Sequence, residues 1–170
     1  MRIFKEEQRF TQTWLIILIA ITILIEVAVI AHEYTKEDAT MTGSELILVL
    51  VFVLIFSSII FIFKLKTRID EKGIHYQFIP FHLSKRTIAW TDLKLAHTRT
   101  YDAITEYGGW GMKGGFLWRK SKGVAYNVSG NIGIQLEYKS GKKILIGTQK
   151  LNDANAVLKT YQQKLKSDAE

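Results

Sequence analysis

The pattern of apolar and polar positions changes character near residue 64. Before that point two continuous apolar runs, residues 13–31 and 46–63, show no polar face. In the second, sixteen large apolar residues are interrupted only by Ser57 and Ser58. As a helix, eighteen residues reach about 27 Å, close to the roughly 30 Å of a bilayer core. Insertion preferences for such residues sum to roughly 5–10 kcal/mol in favour of the bilayer, as an upper bound. The pattern therefore predicts a two-helix transmembrane hairpin over residues 13–65, with spans at about 13–31 and 46–64. Trp14 stands where an indole suits the headgroup level. Residues 1–12 form a polar lead too short to fold alone.

After residue 66 the period shortens to two. Ile74, Tyr76 and Phe78 alternate with polar neighbours, as do Ile132, Ile134, Leu136 and Tyr138, which is the spacing of half-buried strands. Turn residues separate the runs at 70–73, 129–131 and 140–141. The spacing predicts seven antiparallel strands at 66–70, 74–81, 85–89, 93–101, 123–128, 132–138 and 142–147. An amphipathic helix follows at about 151–166, with Leu151, Ala154, Leu158, Tyr161 and Leu165 along one face. The expected fold class is α+β: a transmembrane hairpin, then one sheet-rich domain over residues 66–170 whose open end the helix closes.

Charge orients this arrangement. Residues 1–63 carry four bases against seven acids, net −3, whereas the remainder carries nineteen against nine, net +10. Arg2, Lys5 and Arg9 precede the hairpin and Lys64, Lys66, Arg68 and Lys72 follow it, while the link between spans holds Lys36 among Glu33, Glu37, Asp38 and Glu45. The positive-inside rule then predicts a multi-pass protein of the plasma (inner) membrane with both termini cytoplasmic. A signal peptide cut after Ala31 is the rival reading; the length of the run and Glu26 within it argue against cleavage. The absence of cysteine excludes disulfides, iron–sulfur clusters and thiolate zinc sites.

Seven strands capped by a helix is the pleckstrin-homology-like (PH-like) architecture. Residues 67–74, the run Ile88-Ala89-Trp90-Thr91-Asp92-Leu93, and residues 141–150 leading into the helix resemble bacterial membrane-anchored PH-like domains, and the resemblance covers about residues 10–166. It implies a seven-stranded sheet or barrel behind a two-span hairpin, in an uncharacterised family with no established enzymatic role. Inositide-binding PH domains hold phosphates with bases around the first hairpin. Here that turn is Asp70-Glu71-Lys72-Gly73, whose carboxylates repel such a ligand, with Arg68, Lys72, Lys85 and Arg86 nearby. Bases facing an anionic leaflet are the simpler expectation.

Residues 101–122 form the most unusual segment, twice the usual loop length. Trp110, Met112, Phe116 and Trp118 are interleaved with Lys113, Arg119, Lys120 and Lys122. The G-x-G-x-x-G at 109–114 lacks the helix that a dinucleotide site needs. The segment is expected to contact membrane or a partner through these eight residues, or else to pack its aromatics on its own domain. Glu26, an intramembrane carboxylate, either reaches towards outer water and Lys36 or meets another subunit.

His32, His75, His82 and His97 lack metal-ligand spacing, and Asp102, Glu106, Tyr101 and Tyr107 come without a nucleophile motif. No catalytic residue, metal or cofactor is implied. Asn127-Val128-Ser129 is a sequon only by letters, since the expected side of the membrane lacks glycosylation machinery. The expected function is a membrane-anchored PH-like binding or scaffolding module. Its partners would be the bilayer with its anionic headgroups and an unidentified membrane protein or a second copy, nucleic acid being the poorer match to one basic loop. The alternative is an accessory subunit of a larger membrane complex, recognised through its helices.

Overall fold

The computed structural model describes residues 2–36, 42–114 and 123–166. The chain divides into two compact units, one of residues 10–63 and one of residues 1–9 with 64–170.

The first unit is a helical hairpin of α1 (Thr13–Tyr34) and α2 (Gly43–Ser58), the latter extended by a 3-10 turn over Ile59–Ile62. Both helices are long and apolar enough to cross a membrane, and neither buries a residue within the chain. Thr42 caps α2 reciprocally: the Glu45 N–H donates to the Thr42 hydroxyl and the Thr42 N–H donates to the Glu45 carboxylate at 2.8 Å. Two polar side chains inside the apolar runs turn back on their own helices. The Thr22 hydroxyl donates to the Leu18 carbonyl and that of Ser58 to Leu54. At the base of the hairpin the Phe10 and Phe63 rings meet edge to face, 6.4 Å between centroids.

The second unit contains β1 (Phe4–Arg9), β2 (Lys64–Asp70), β3 (Gly73–Ile79), β4 (Arg86–Ala89), β5 (Leu93–Thr100), α3 (Ala103–Tyr107), β6 (Gly111–Lys113), β7 (Val124–Asn127), β8 (Ile132–Tyr138), β9 (Lys143–Gly147) and α4 (Leu151–Lys166). Strands β1-β2-β3-β4 form one antiparallel sheet, and β5-β8-β9-β7-β6 form a second. The expected seven antiparallel strands are thus nine in two sheets, with no closed barrel among the described residues, and β7 runs parallel to β9. Residues 1–12 are also not merely a lead. Phe4 to Arg9 pair with Ile69 to Lys64 along the whole of β2.

Leu65, Ile69, Ile74 and Phe78 of the first sheet, with Ile134, Leu136, Ile144 and Ile146 of the second, are almost completely buried. Contacts between the sheets run through Tyr126, whose ring lies 4.9 Å from that of Tyr76 and 6.3 Å from that of Phe78. The second sheet is buried on its other face as well. There Leu145 and Ala125 pack with Tyr101, Ala103 and Tyr107 beneath α3, which is why β8 and β9 read as nearly continuous buried runs. Helix α4 buries Ala154, Val157, Leu158 and Tyr161, while Leu151 at its start is exposed. Its Tyr161 stacks on Trp90 and donates its hydroxyl to the Arg2 carbonyl at 2.8 Å, so the helix holds β1 to the rest of the unit. Gly73 closes the β2–β3 hairpin at φ 149°, where a Cβ would lie 2.1 Å from the Ile88 carbonyl oxygen.

Candidate functional site

Strand pairing sorts the first sheet's polar residues onto one face. Lys5 pairs with Arg68 and Arg68 with His75; Glu7 pairs with Lys66 and Lys66 with Gln77; Arg9 pairs with Lys64. Since side chains alternate along each strand, these residues share the face opposite Leu65, Ile69, Ile74 and Phe78. A cavity of about 650 Å³ lies against these strands, lined by Lys5, Glu7, Lys66, Arg68 and His75 of this face, by Glu6, Gln8, Thr67 and Tyr76 of the other, and by Lys85, Gln149 and Lys150.

The carboxylates on this face are already engaged. Glu7 receives Arg9 at 2.7 Å and stands within 3.7 Å of Lys64 and 3.5 Å of Lys66; the bond from Arg9 holds its carboxyl below the usual range. Asp70 receives Arg68 Nε at 2.8 Å, the Lys72 N–H at 3.0 Å and His75 Nε2 at 3.0 Å. Burial works to raise the Asp70 carboxyl, yet the His75, Lys72 and Arg68 bonds outweigh it and bring it down to about 2. Among the described residues Lys5, Lys85 and Lys150 have no carboxylate partner. Unpaired ammonium groups around a concavity attract anions, and bidentate or multiply charged oxyanions above all.

Lys150 reaches this rim because of Glu6, a buried residue on the opposite face of β1. Its carboxylate accepts the Thr148 hydroxyl at 2.6 Å and the Gln149 N–H at 2.8 Å, and the neighbouring Gln8 amide donates to the Gly147 carbonyl at 2.8 Å. The end of β9 is thereby fastened to the edge strand. Sequence reasoning pointed to Arg68 and Lys85 but not to Lys5 or Lys150. The inward positions of β1 hold Glu6 and Gln8, so no apolar alternation announced that strand.

No family model, curated protein or solved structure matches the chain.

The segment expected to make contacts is more ordered than a loop where it is described. Asp102 caps α3 by accepting the Ile104 and Thr105 N–H groups, and Glu106 accepts both the Asp102 N–H and the Arg99 guanidinium. Burial favours the neutral form of Arg99, but the bonds to Glu106 prevail and raise its pKa. These groups hold the local fold. Trp110 packs against the cluster of Tyr101, Tyr107 and Leu145 and donates its indole N–H to the Gly130 carbonyl at 3.2 Å. Met112 is 41% exposed and Lys113 ends β6. Phe116, Trp118, Arg119, Lys120 and Lys122 lie outside the described residues.

Asn127 is fully buried, accepting the Gly111 N–H and donating to the Tyr101 hydroxyl. His75 bridges strands to Thr87, and buried His82 accepts the Phe78 N–H through Nδ1 at 3.1 Å. In the helical hairpin, Lys36 pairs with Glu33 at 2.6 Å rather than with Glu26, and Glu26 Oε2 is buried without a hydrogen-bond partner among the described residues.

Proposed function

We propose that the protein is a membrane-anchored, non-catalytic binding module, in which the helical hairpin spans the bilayer and holds a PH-like β domain on its cytoplasmic side. The basic face of the first sheet is its binding surface, and its ligand is anionic. The observation that carries this is the cavity ringed by Lys5, Lys66, Arg68, Lys85 and Lys150, on a sheet whose two neighbouring strands β1 and β2 continue directly into the apolar hairpin. A face whose strands run on in sequence into a membrane tether meets headgroups and membrane-bound partners at high effective concentration. These five bases, each worth about 1 kcal/mol near an anionic leaflet, give a salt-sensitive attraction rather than a specific grip.

The test uses the full-length protein in detergent, titrated with a water-soluble short-chain phosphatidylglycerol and, separately, with the matching phosphatidylcholine. Binding of the anionic lipid that weakens with salt, and that falls in a Lys5→Glu, Lys85→Glu, Lys150→Glu variant, is the expected result. Equal binding of both lipids by both proteins would remove the basic face from the account.

A second reading rests on Glu26. An unpartnered carboxylate oxygen in an apolar helix suits a polar contact with another membrane-spanning segment, which would make the protein a subunit recognised through its helices. If Glu26→Leu leaves a crosslinked partner in place, that reading fails.

A further inference from the structure

The turn joining β3 to β4 is built around an exposed apolar tip. Leu83 is 97% accessible and Phe81 56%, on a unit whose other large apolar side chains are mostly buried. Such a tip in a loosely held loop would have little meaning. This one is fixed at several points. The His82 N–H donates to the Phe78 carbonyl at 2.8 Å, His82 Nδ1 accepts the Phe78 N–H in return, and the Gln77 amide donates to the carbonyls of both His82 and Leu83, at 3.0 and 3.3 Å. The His82 ring is buried against Tyr76 and Tyr126 at 5.6 and 5.2 Å. Phe81 stacks on Phe78, rings nearly parallel at 6.0 Å. With both backbone carbonyls held and the histidine anchored inward, Leu83 is presented outward from a fixed backbone.

We infer that this turn is a foot that enters the headgroup layer of an anionic bilayer, with Phe81 and Leu83 in the acyl boundary and Lys85 and Arg86 at the level of the phosphates. Sheet register supplies the location. Ile79 is the partner of Lys64, and Lys64 that of Arg9, so the turn that begins after Ile79, and folds back by His82 onto Phe78, lies at the end of the sheet from which the chain leaves for α1 and at which it returns from α2. Charge supplies the kind of surface: after Ser84 two bases follow the apolar tip, the composition of an interfacial element on anionic lipid. The inference rests on the proposed anchoring and adds a second attachment, which would restrict how the β domain swings about its tether.

The natural chain contains no cysteine, so single labelling sites can be introduced without background. Full-length Leu83→Cys, Glu71→Cys and Val51→Cys proteins, each carrying an environment-sensitive fluorophore, are reconstituted into phosphatidylglycerol-containing nanodiscs. Glu71 marks the opposite end of the same sheet, and Val51 lies within α2. The label at 83 should be blue-shifted, quenched by lipid spin-labelled near the headgroup, and several-fold less accessible to iodide than the label at 71. Labels at 83 and 71 equally open to iodide, while that at 51 is shielded, would overturn the foot and leave the anchor standing; the tip would then await a protein partner. Were the label at 51 also open to iodide, the anchoring itself would fall.

Discussion

Arg9 and Lys64 are paired across the β1–β2 ladder, so the last residue before the chain departs for the helical hairpin lies beside the first residue after it returns. The fifty-four residues between them form an insertion between neighbouring strands of one sheet. A domain hung in this way is tied at two adjacent points rather than one, and its first strand is indispensable to its first sheet. Deleting residues 2–9 should therefore unfold the β domain, since it uncovers the edge of β2 and removes the buried Phe4, Glu6 and Gln8. Limited proteolysis of the detergent-solubilised variant should release fragments from within residues 64–166. Survival of a resistant β domain would restore the reading of these residues as an unstructured lead.

Glu6 acts as a clasp between the edge strand and the approach to α4. Replacing it with Ala leaves the Gln149 N–H and Thr148 hydroxyl without their acceptor, a cost of about 2 kcal/mol for a buried charged acceptor. Thermal unfolding in detergent followed by tryptophan fluorescence should show the loss. Binding of short-chain anionic lipid should weaken as well, because Lys150 is no longer held at the rim.

The Asp70 carboxyl, at about 2 in the folded chain against 3.8 for the free group, makes a stabilising contribution with a definite pH window. Because the folded value is the lower one, that contribution is complete above about pH 4 and disappears as pH falls towards 2, amounting to about 2 kcal/mol. Asp70→Asn should lose it at neutral pH and show a shallower acid limb than the natural protein. Parallel acid-denaturation curves would show that the His75 and Arg68 contacts contribute nothing.

Trp110 should behave as a structural residue. Its half-buried ring packs on the Tyr101–Tyr107–Leu145 cluster, so Trp110→Ser should destabilise the β domain by about 1.5 kcal/mol through the apolar contact it loses. A thermal midpoint that does not move, together with reduced vesicle binding, would return this side chain to the exposed contact surface expected from its sequence context.

His82 gives the turn a pH dependence of its own. Burial, and after it the Arg86 charge, lower its pKa below 6.5, so the neutral ring that accepts the Phe78 N–H is the form the fold selects. Its contribution is present above about pH 6.5 and is lost as pH falls through the lowered value. Protection of the His82 amide, whose N–H donates to the Phe78 carbonyl, measured relative to its intrinsic exchange rate, should fall in that acid range, and His82→Gln should remove the dependence.

Much of this fold was legible because most strands bury one clean row of apolar side chains. Ile74, Tyr76 and Phe78 announce β3, and the spacing of Ala154, Leu158 and Tyr161 announces α4. β1 was hidden for a physical reason: its inward row is Phe4, Glu6 and Gln8, and the Glu6 carboxylate and the Gln8 amide N–H bond to groups more than 130 residues away, which no local pattern can register. β6 and α3 were hidden by shortness, each being a few residues that owe their form to Asn127 and Asp102 rather than to periodicity. The same long-range contacts brought Lys5 and Lys150 to the cavity, so the basic face could be read from sequence only where β2 to β4 contribute to it.

Membrane anchoring with the β domain inside is the claim on which the rest depends. The most direct measurement is labelling of single-cysteine proteins in intact, right-side-out bacterial cells with a membrane-impermeant maleimide. Lys36→Cys, between the helices, should react at once. Ser140→Cys, in the β8–β9 turn, should react only after the cells are lysed. Reaction at 140 in sealed cells would place the β domain outside and contradict the account.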